Sequence, residues 1–286
     1  MTSTSPAFNH LHVNTMPPVD TLSSWGTLVL SIACNTLVFQ ATRTPNTKSS
    51  ATAASGHVRA ISASHSILVT ILTIIALRQQ HWQLSLDDPT PPRDVDGDGN
   101  LDDAANPMIQ GRSRLANMIT SWEAGYLLYD TWAMAYALPR TVGRSARPSP
   151  VMVTHHALIG AGLLYLQHYI ARGKERGVRV ILGLLLMNAS NPLLHARWWA
   201  RKTGRQSRFL DAAFLVAFAG VRFGSVAWIL RQYGAYHRLG LVDVFGRLRT
   251  PCKVGTASLV GLNGVWWLWM CKNFAQRYVE KTKKRI

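Results

Sequence analysis

Charged residues are scarce in this sequence of 286 residues. They make up 16% of the chain, against about 25% in soluble globular proteins. Apolar residues make up 48%, and several of the ten Trp residues stand at the ends of apolar segments, where interfacial aromatic belts form. This composition disfavours a soluble domain and predicts a chain embedded in lipid.

Cysteine is scarce as well. Cys34, Cys252 and Cys271 lie far apart and form no CxxC or CxxH pair, which excludes a zinc-finger site and a disulfide framework. Residues 1–42 contain no Lys or Arg, so we expect no cleavable signal peptide with a basic n-region. We also expect no lipid anchor, because no Gly follows Met1 and no CaaX box ends the chain.

Long apolar segments dominate what remains. About 20 apolar residues suffice for a helix to cross the hydrocarbon core of a bilayer. The sequence predicts an all-α, polytopic transmembrane bundle with about seven spans, at residues 22–42, 58–77, 115–138, 151–171, 178–198, 209–230 and 254–273. The fifth segment is interrupted by Asn188, Ser190, Asn191 and Pro192, and proline breaks or kinks a helix.

The basic residues are spread over short loops between these segments. The net charge of +17 therefore indicates topology control rather than a nucleic-acid surface, and we expect no nucleic-acid partner. The N-terminal tail (1–24), which contains no Lys or Arg, and the acidic loop (80–114) are predicted to be lumenal. The basic tail (276–286) is predicted to be cytosolic, although the opposite loops 172–177 and 231–253 are also basic.

Lys283 and Lys284 stand at the fourth and third positions from the C-terminus. This pattern resembles the dilysine signal that retrieves membrane proteins to the endoplasmic reticulum through coat machinery in the cytosol. The alternative is a generic basic tail that is attracted to anionic headgroups. The first interpretation predicts a multi-pass protein of the endoplasmic-reticulum membrane.

Ionisable residues inside the spans are candidates for function, because burial in lipid is costly. They are His65, Glu123, Asp130, His155, His156, His195 and Arg222. One hypothesis makes His155 or His156 a general base or acyl acceptor that Asp130 orients. The alternatives are an Asp130–Arg222 ion pair with histidines bonded to backbone, and a zinc site. Adjacent histidines point to different faces of a helix, which makes His155 and His156 a poor chelating pair.

Short motifs also follow one another in a fixed order over residues 55–275. They are AISASHS at 60–66, NPMIQG at 106–111, GYLLYD at 125–130, HH at 155–156, NASNPLLHARW at 188–198, VR at 221–222 and LNGVW at 262–266. The ordered set resembles the TLC-domain family, named for the translocating-chain-associating membrane protein, the Lag-type ceramide synthases and a ceroid-lipofuscinosis protein. The resemblance is closest to the small TLC-domain proteins that are not ceramide synthases.

This resemblance implies a helical bundle around a lipid-accessible cavity, with a role in lipid synthesis, sensing or transport. It implies that His155 and His156 match the acyl-transfer centre of the ceramide synthases, and that Asp130 matches the acidic residue that the family carries after Gly-Tyr. The residues predicted to bind lipid or support the site are His65, Glu123, Asn188, Ser190, Pro192, Arg222 and Asn263. Asn188 and Asn191 stand where ceramide synthases carry aspartates, which weakens the case for acyl transfer.

The acidic loop contains one further pattern. Oxygen-bearing side chains alternate around glycines as in an EF-hand loop, and they belong to Asp94, Asp96, Asp98, Asn100 and Asp102. Position 12 is Ala105 instead of glutamate, and Pro89, Pro91 and Pro92 precede the loop instead of a helix. The interpretations are a weak Ca²⁺ site and a solvated acidic loop.

Three functions remain open from the sequence. The first is a protein of membrane lipid homeostasis that binds, senses or transports lipid. The second is an acyl-CoA-dependent acyltransferase that acts on an amine-bearing lipid, with acyl-CoA as co-substrate; no other cofactor is predicted to be required. The third is a membrane chaperone or cargo receptor, which only the dilysine tail favours.

Overall fold

The structure, a computed structural model, describes residues 21–42, 51–79, 83–84, 101, 103, 106–137 and 150–283. In this part of the chain almost every residue is helical, which confirms the predicted all-α class. Residues 1–20 of the predicted N-terminal tail, the candidate calcium residues and Lys284 lie outside the described residues.

Long helices occupy every predicted apolar segment. They are α1 (Thr21–Thr42), α2 (Ala51–Arg78), α4 (Arg114–Trp132, continued by a π-helical turn Ala133–Ala137), α5 (Pro150–Ala171), α6 (Val178–Leu185), α7 (Asn191–Lys202), α8 (Arg208–Tyr236) and α10 (Thr250–Lys283). Among the described residues, four stretches are long and apolar enough to cross a membrane: Ser23–Ala41, Gly56–Arg78, Val178–Lys202 and Arg208–Tyr236.

The predicted break in the fifth segment is present. Helix α6 tightens into a 3₁₀ turn, Leu186–Ser190, before α7 begins at Asn191. Pro192 lies in the first turn of α7, where its missing N–H removes no helical hydrogen bond. This 3₁₀ turn places the side chains of Asn188 and Asn191 toward neighbouring helices.

Short elements close the loop between α2 and α4. Strands β1 (Gln83–Leu84) and β2 (Gly111–Arg112) pair antiparallel, and α3 (Pro107–Gln110) precedes β2. The Asn106 side chain caps α3 by accepting the Met108 N–H at 3.0 Å. At the same end of the bundle, α9 (Leu241–Arg247) packs against the last turns of α8.

Helix α1 lies directly against α4, and the contact depends on Gly125. A Cβ atom at Gly125 would come 2.5 Å from the Leu28 carbonyl oxygen and 2.7 Å from the Ser31 Cβ. Ser31 Oγ in turn donates to the Trp122 carbonyl at 2.7 Å. Glycine and serine at this crossing let the two backbones approach, as small residues do between membrane helices.

The distribution of polarity is inverted relative to a soluble protein. Large apolar side chains lie on the outside, for example Leu37, Leu158, Val216 and Trp269. Meanwhile carboxylates, amides and imidazoles are buried between the helices. A lipid surrounding would cover the outer apolar surface and leave the polar groups of the interior to bind one another.

Candidate functional site

Helix α4 is central to the polar interior. Glu123 and Asp130 are seven residues apart and are 4% and 3% exposed. Seven residues make about two turns, so both carboxylates lie on nearly the same face of α4 at different depths. Each carboxylate contacts a histidine from a different neighbouring helix.

Asp130 contacts His156 of α5. Asp130 Oδ2 lies 2.6 Å from His156 Nδ1, and the two side chains are 4% and 19% exposed. No well-aligned hydrogen bond joins this nitrogen to a described residue, so the contact is one of charge proximity rather than a straight N–H···O bond. The arrangement places a partly exposed imidazole next to a buried carboxylate.

Glu123 also contacts a histidine, His65 of α2, and here the two side chains are hydrogen-bonded. Glu123 Oε2 lies 2.7 Å from His65 Nε2, and both side chains are buried. The His65 ring stacks on Tyr126 with 3.6 Å between ring centroids. Tyr126 O–H donates to Ser62 Oγ at 2.8 Å. This second pair is more enclosed than the pair of Asp130 and His156.

The amides of the broken segment continue the network from Glu123. Asn188 Nδ2 donates to Glu123 Oε1 at 3.2 Å, and Asn191 Nδ2 donates to Asn188 Oδ1 at 3.0 Å. Asn191 Nδ2 is also 3.4 Å from Ser66 Oγ of α2. Asn188 and Asn191 therefore serve as bridges, because an amide both donates and accepts.

The network ends at Arg222 of α8. Its Nη1 donates to Asn263 Oδ1 at 2.9 Å, its Nη2 to Asn191 Oδ1 at 3.3 Å and its Nε to Ser190 Oγ at 3.4 Å. The guanidinium also lies 4.4 Å above the Phe218 ring. Within the described residues no carboxylate contacts Arg222, so the alternative of an Asp130–Arg222 ion pair is wrong.

His155 lies between the Asp130–His156 pair and the end of the network at Arg222. Its ring contacts Trp266 edge to face at 5.1 Å and is 5.7 Å from the His156 ring, with 57° between the two planes. Trp266 follows Asn263 by three residues, which puts both on one face of α10. His155 therefore stands next to the helix face that binds Arg222. The described residues contain no group of three His, Cys, Asp or Glu side chains that would hold a metal ion.

Some contacts were not predicted. Tyr126 and Trp266 belong to the motifs GYLLYD and LNGVW but were not predicted to be site residues. Tyr126 lies three residues after Glu123 and four before Asp130, on the same helical face. That spacing is the feature of the sequence from which Tyr126 could have been predicted to join the site. His195 is buried, but its Nδ1 has no hydrogen-bond partner in the described part of the chain. Pro192 contributes only through the helix break.

Two residues inside the candidate calcium loop (94–105) are anchored to the bundle. Leu101 is buried among apolar side chains. Asp103 Oδ1 accepts the Tyr233 O–H at 2.6 Å. The ligand set proposed from the sequence (94, 96, 98, 100 and 102) lies outside the described residues, as do the Lys283 side chain and Lys284. The calcium and retrieval predictions stay predictions.

Comparison with known families decides the classification. The profile of the TLC domain matches residues 56–272. The chain belongs to the TLC-domain family. The TLC match begins in α2 and ends in α10, so α1 precedes it while packing on α4. Membership makes the chain a membrane protein of lipid metabolism or lipid sensing. No solved structure matches this chain.

Proposed function

We propose that this TLC-domain protein binds an anionic lipid headgroup at Arg222, as a multi-pass endoplasmic-reticulum protein that senses or transports lipid in membrane lipid homeostasis. The observation that carries the proposal is the set of partners of Arg222. Three neutral groups, from Asn263, Asn191 and Ser190, accept its hydrogen bonds, and no described carboxylate balances its charge.

A guanidinium inside a membrane protein is expensive unless an anion compensates it. Neutral acceptors fix its orientation without neutralising it. A phosphate or carboxylate of a bound lipid would complete the balance through charge-assisted hydrogen bonds. The aromatic rings of Phe218 and Trp266 lie beside the cation and beside His155, respectively. They offer apolar surface to the part of the lipid next to its headgroup.

Lipid retention by the purified chain tests this proposal. The wild type is purified in mild detergent with an anionic and a zwitterionic phospholipid, and bound lipid is counted by native mass spectrometry. Arg222→Gln should lose about tenfold or more of its affinity for the anionic lipid, because one charge-assisted contact is removed. Arg231→Gln, which removes an exposed arginine of the same helix, is the matched control. Equal retention by both variants would refute the proposal.

The second candidate function is acyl transfer, which the 2.6 Å contact between Asp130 and His156 favours. In this reaction the acyl carbon–sulfur bond of acyl-CoA breaks, a bond to the amine nitrogen forms, and His156 takes the amine proton. Asp130 would stabilise the resulting imidazolium. Purified protein with labelled acyl-CoA and sphingoid or phospholipid amines should then yield labelled amide. His156→Ala should lower turnover by about 10²–10⁴-fold.

The two candidates give different results in these assays. Retained lipid without amide product, in the wild type as well as in His155→Ala and His156→Ala, supports binding alone. Product that disappears in His156→Ala supports catalysis.

The endoplasmic-reticulum location rests on the dilysine tail, and replacing Lys283 and Lys284 by serine should release a fluorescently tagged chain to later compartments. Unchanged location in that variant would leave the tail as a basic anchor.

A further inference from the structure

A cluster of basic residues lies at one end of the bundle, away from Arg222. The beginning of α2, the end of α7, the beginning of α8 and the end of α10 meet there. Trp198 and Trp199 stand at the same end, the position that interfacial tryptophans take at the headgroup layer. The geometry therefore places this end where lipid headgroups would be.

Three anchors hold cations in place in this region. Asp211 Oδ1 accepts from Arg197 Nε at 2.6 Å and from Arg201 Nη2 at 3.0 Å. Its Oδ2 accepts the Tyr278 O–H at 2.9 Å. Asp211 and Arg197 are 7% and 9% exposed, so this pair is buried, whereas Arg201 is partly exposed.

Aromatic rings provide the other two anchors. The Arg59 guanidinium lies 4.7 Å from the Trp198 ring, and Lys202 Nζ lies 5.8 Å from the same ring. The Arg208 guanidinium lies 4.9 Å from the Tyr278 ring. Cation–π contacts hold a side chain without neutralising its charge.

The charge balance of the region is strongly positive. Five cations are held by these anchors, from Arg59, Arg197, Arg201, Lys202 and Arg208. Within the described residues, Asp211 is the only carboxylate that any of the five contacts. A surplus of held positive charge at the headgroup layer attracts anionic lipid, at about 1 kcal/mol for each basic residue.

We propose that this end of the bundle, at α2, α7, α8 and α10, is a binding site for a glycerophospholipid whose headgroup carries a phosphomonoester. A phosphomonoester carries between one and two negative charges and three acceptor oxygens. Guanidinium groups match it by paired hydrogen bonds. Because the anchors already order the side chains, less conformational entropy is lost on binding than with free surface lysines. The site is separate from Arg222 and does not depend on the function proposed there.

The test uses the full chain in detergent and native mass spectrometry with phosphatidic acid, phosphatidylglycerol and phosphatidylcholine. These probes carry a phosphomonoester, an anionic phosphodiester and a zwitterionic headgroup, respectively. The wild type should retain phosphatidic acid in preference to phosphatidylglycerol, and phosphatidylcholine least. Equal retention of the two anionic lipids would overturn the proposal.

Two matched variants each remove three exposed cations, one variant at this end of the bundle and the other at the opposite end. Arg205 is an exposed cation between α7 and α8, beside Lys202 and Arg208 in the sequence. The triple variant Lys202→Gln, Arg205→Gln, Arg208→Gln leaves the Asp211 pairs intact and should lower phosphatidic acid affinity at least about tenfold. The control Arg172→Gln, Lys174→Gln, Arg176→Gln changes the loop between α5 and α6 at the opposite end and should change affinity less than about twofold. Equal losses of phosphatidic acid affinity in the two triple variants would mean that affinity depends on net charge alone, and would refute the site.

Two further variants separate folding and the interior site from this result. Asp211→Asn should lower the preference for phosphatidic acid, since Arg197 and Arg201 lose their common anchor. Made in an Arg222→Gln background, in which the interior cation is already removed, the triple variant should still lower phosphatidic acid affinity at least about tenfold relative to Arg222→Gln alone. A triple variant that melts at the wild-type temperature and keeps its phosphatidic acid would disprove the proposal.

Discussion

The carboxylate of Asp130 lies 2.6 Å from the imidazole of His156, and this contact joins α4 to α5. The cation that the sequence offered as an alternative partner, Arg222, instead contacts amides and a hydroxyl on other elements. The polar interior therefore contains the Asp130–His156 pair and a separate network that runs from His65 and Glu123 through two asparagines to Arg222. His155 and Trp266 stand where the two parts meet.

Energetic coupling should follow this division. In a double-mutant cycle, Asp130→Ala and His156→Ala should couple by about 0.5–3 kcal/mol, because each removes the other's partner. Asp130→Ala and Arg222→Ala share no partner, so their effects should add within about 0.5 kcal/mol. Unfolding free energies in mixed micelles measure both cycles. Strong coupling between Asp130 and Arg222 would mean that the pairing described above is wrong.

Removing Glu123 should be more damaging than removing its partner. Glu123→Ala leaves both the buried His65 Nε2 and the Asn188 amide without their acceptor, and we expect a loss of about 3–5 kcal/mol. His65→Ala should cost less, because Asn188 still binds the carboxylate. Thermal unfolding in detergent checks the order. The exposed substitution Asp243→Ala, near the end of α8, serves as the control and should have little effect.

The α1–α4 crossing depends on Gly125. Gly125→Ala places a Cβ against the Leu28 carbonyl oxygen and the Ser31 side chain, so α1 must shift, at about 1–3 kcal/mol. Gly162→Ala in α5 meets no atom within 4 Å and should be neutral or stabilising by about 0.5–1 kcal/mol. Melting temperatures of the two variants compare the sites directly. Similar melting temperatures for both would contradict the close approach of α1.

Glu175, in the loop between α5 and α6, should make stability depend on pH. Burial raises the pKa of Glu175, and the Ser113 N–H, which donates to Oε1 at 3.3 Å, offsets only part of that effect. The folded state then holds this proton more tightly than the unfolded chain does. Stability should therefore fall as the pH rises from about 4.3 through the raised pKa.

Melting temperatures measured across that pH range test the effect of Glu175. Glu175→Gln should flatten the fall, while Asp243→Asn, which removes an exposed carboxylate, serves as the control. A wild type and a Glu175→Gln variant with parallel curves would assign the pH dependence to other groups.

The helices could be predicted from the sequence because each membrane-spanning helix needs a continuous run of about 20 mostly apolar residues, which can be read directly from the sequence. The break before Pro192 could be predicted because proline is tolerated in the first turn of a helix but not in its interior, which is a local property of the residue. Tyr126 and Trp266 were missed because an aromatic residue in an apolar helix carries no local sign of whether it faces lipid or a buried imidazole.

The sequence by itself determined that this chain is a bundle of apolar helices with a few ionisable residues inside, because the length and polarity of a span are properties of a continuous segment. It also determined that Glu123 and Asp130 lie on one face, since helical periodicity is local. Only the tertiary structure decided their partners: His65 and His156 are 58 and 26 residues away. Packing angles and backbone approach, such as the crossing at Gly125, bring such distant residues together.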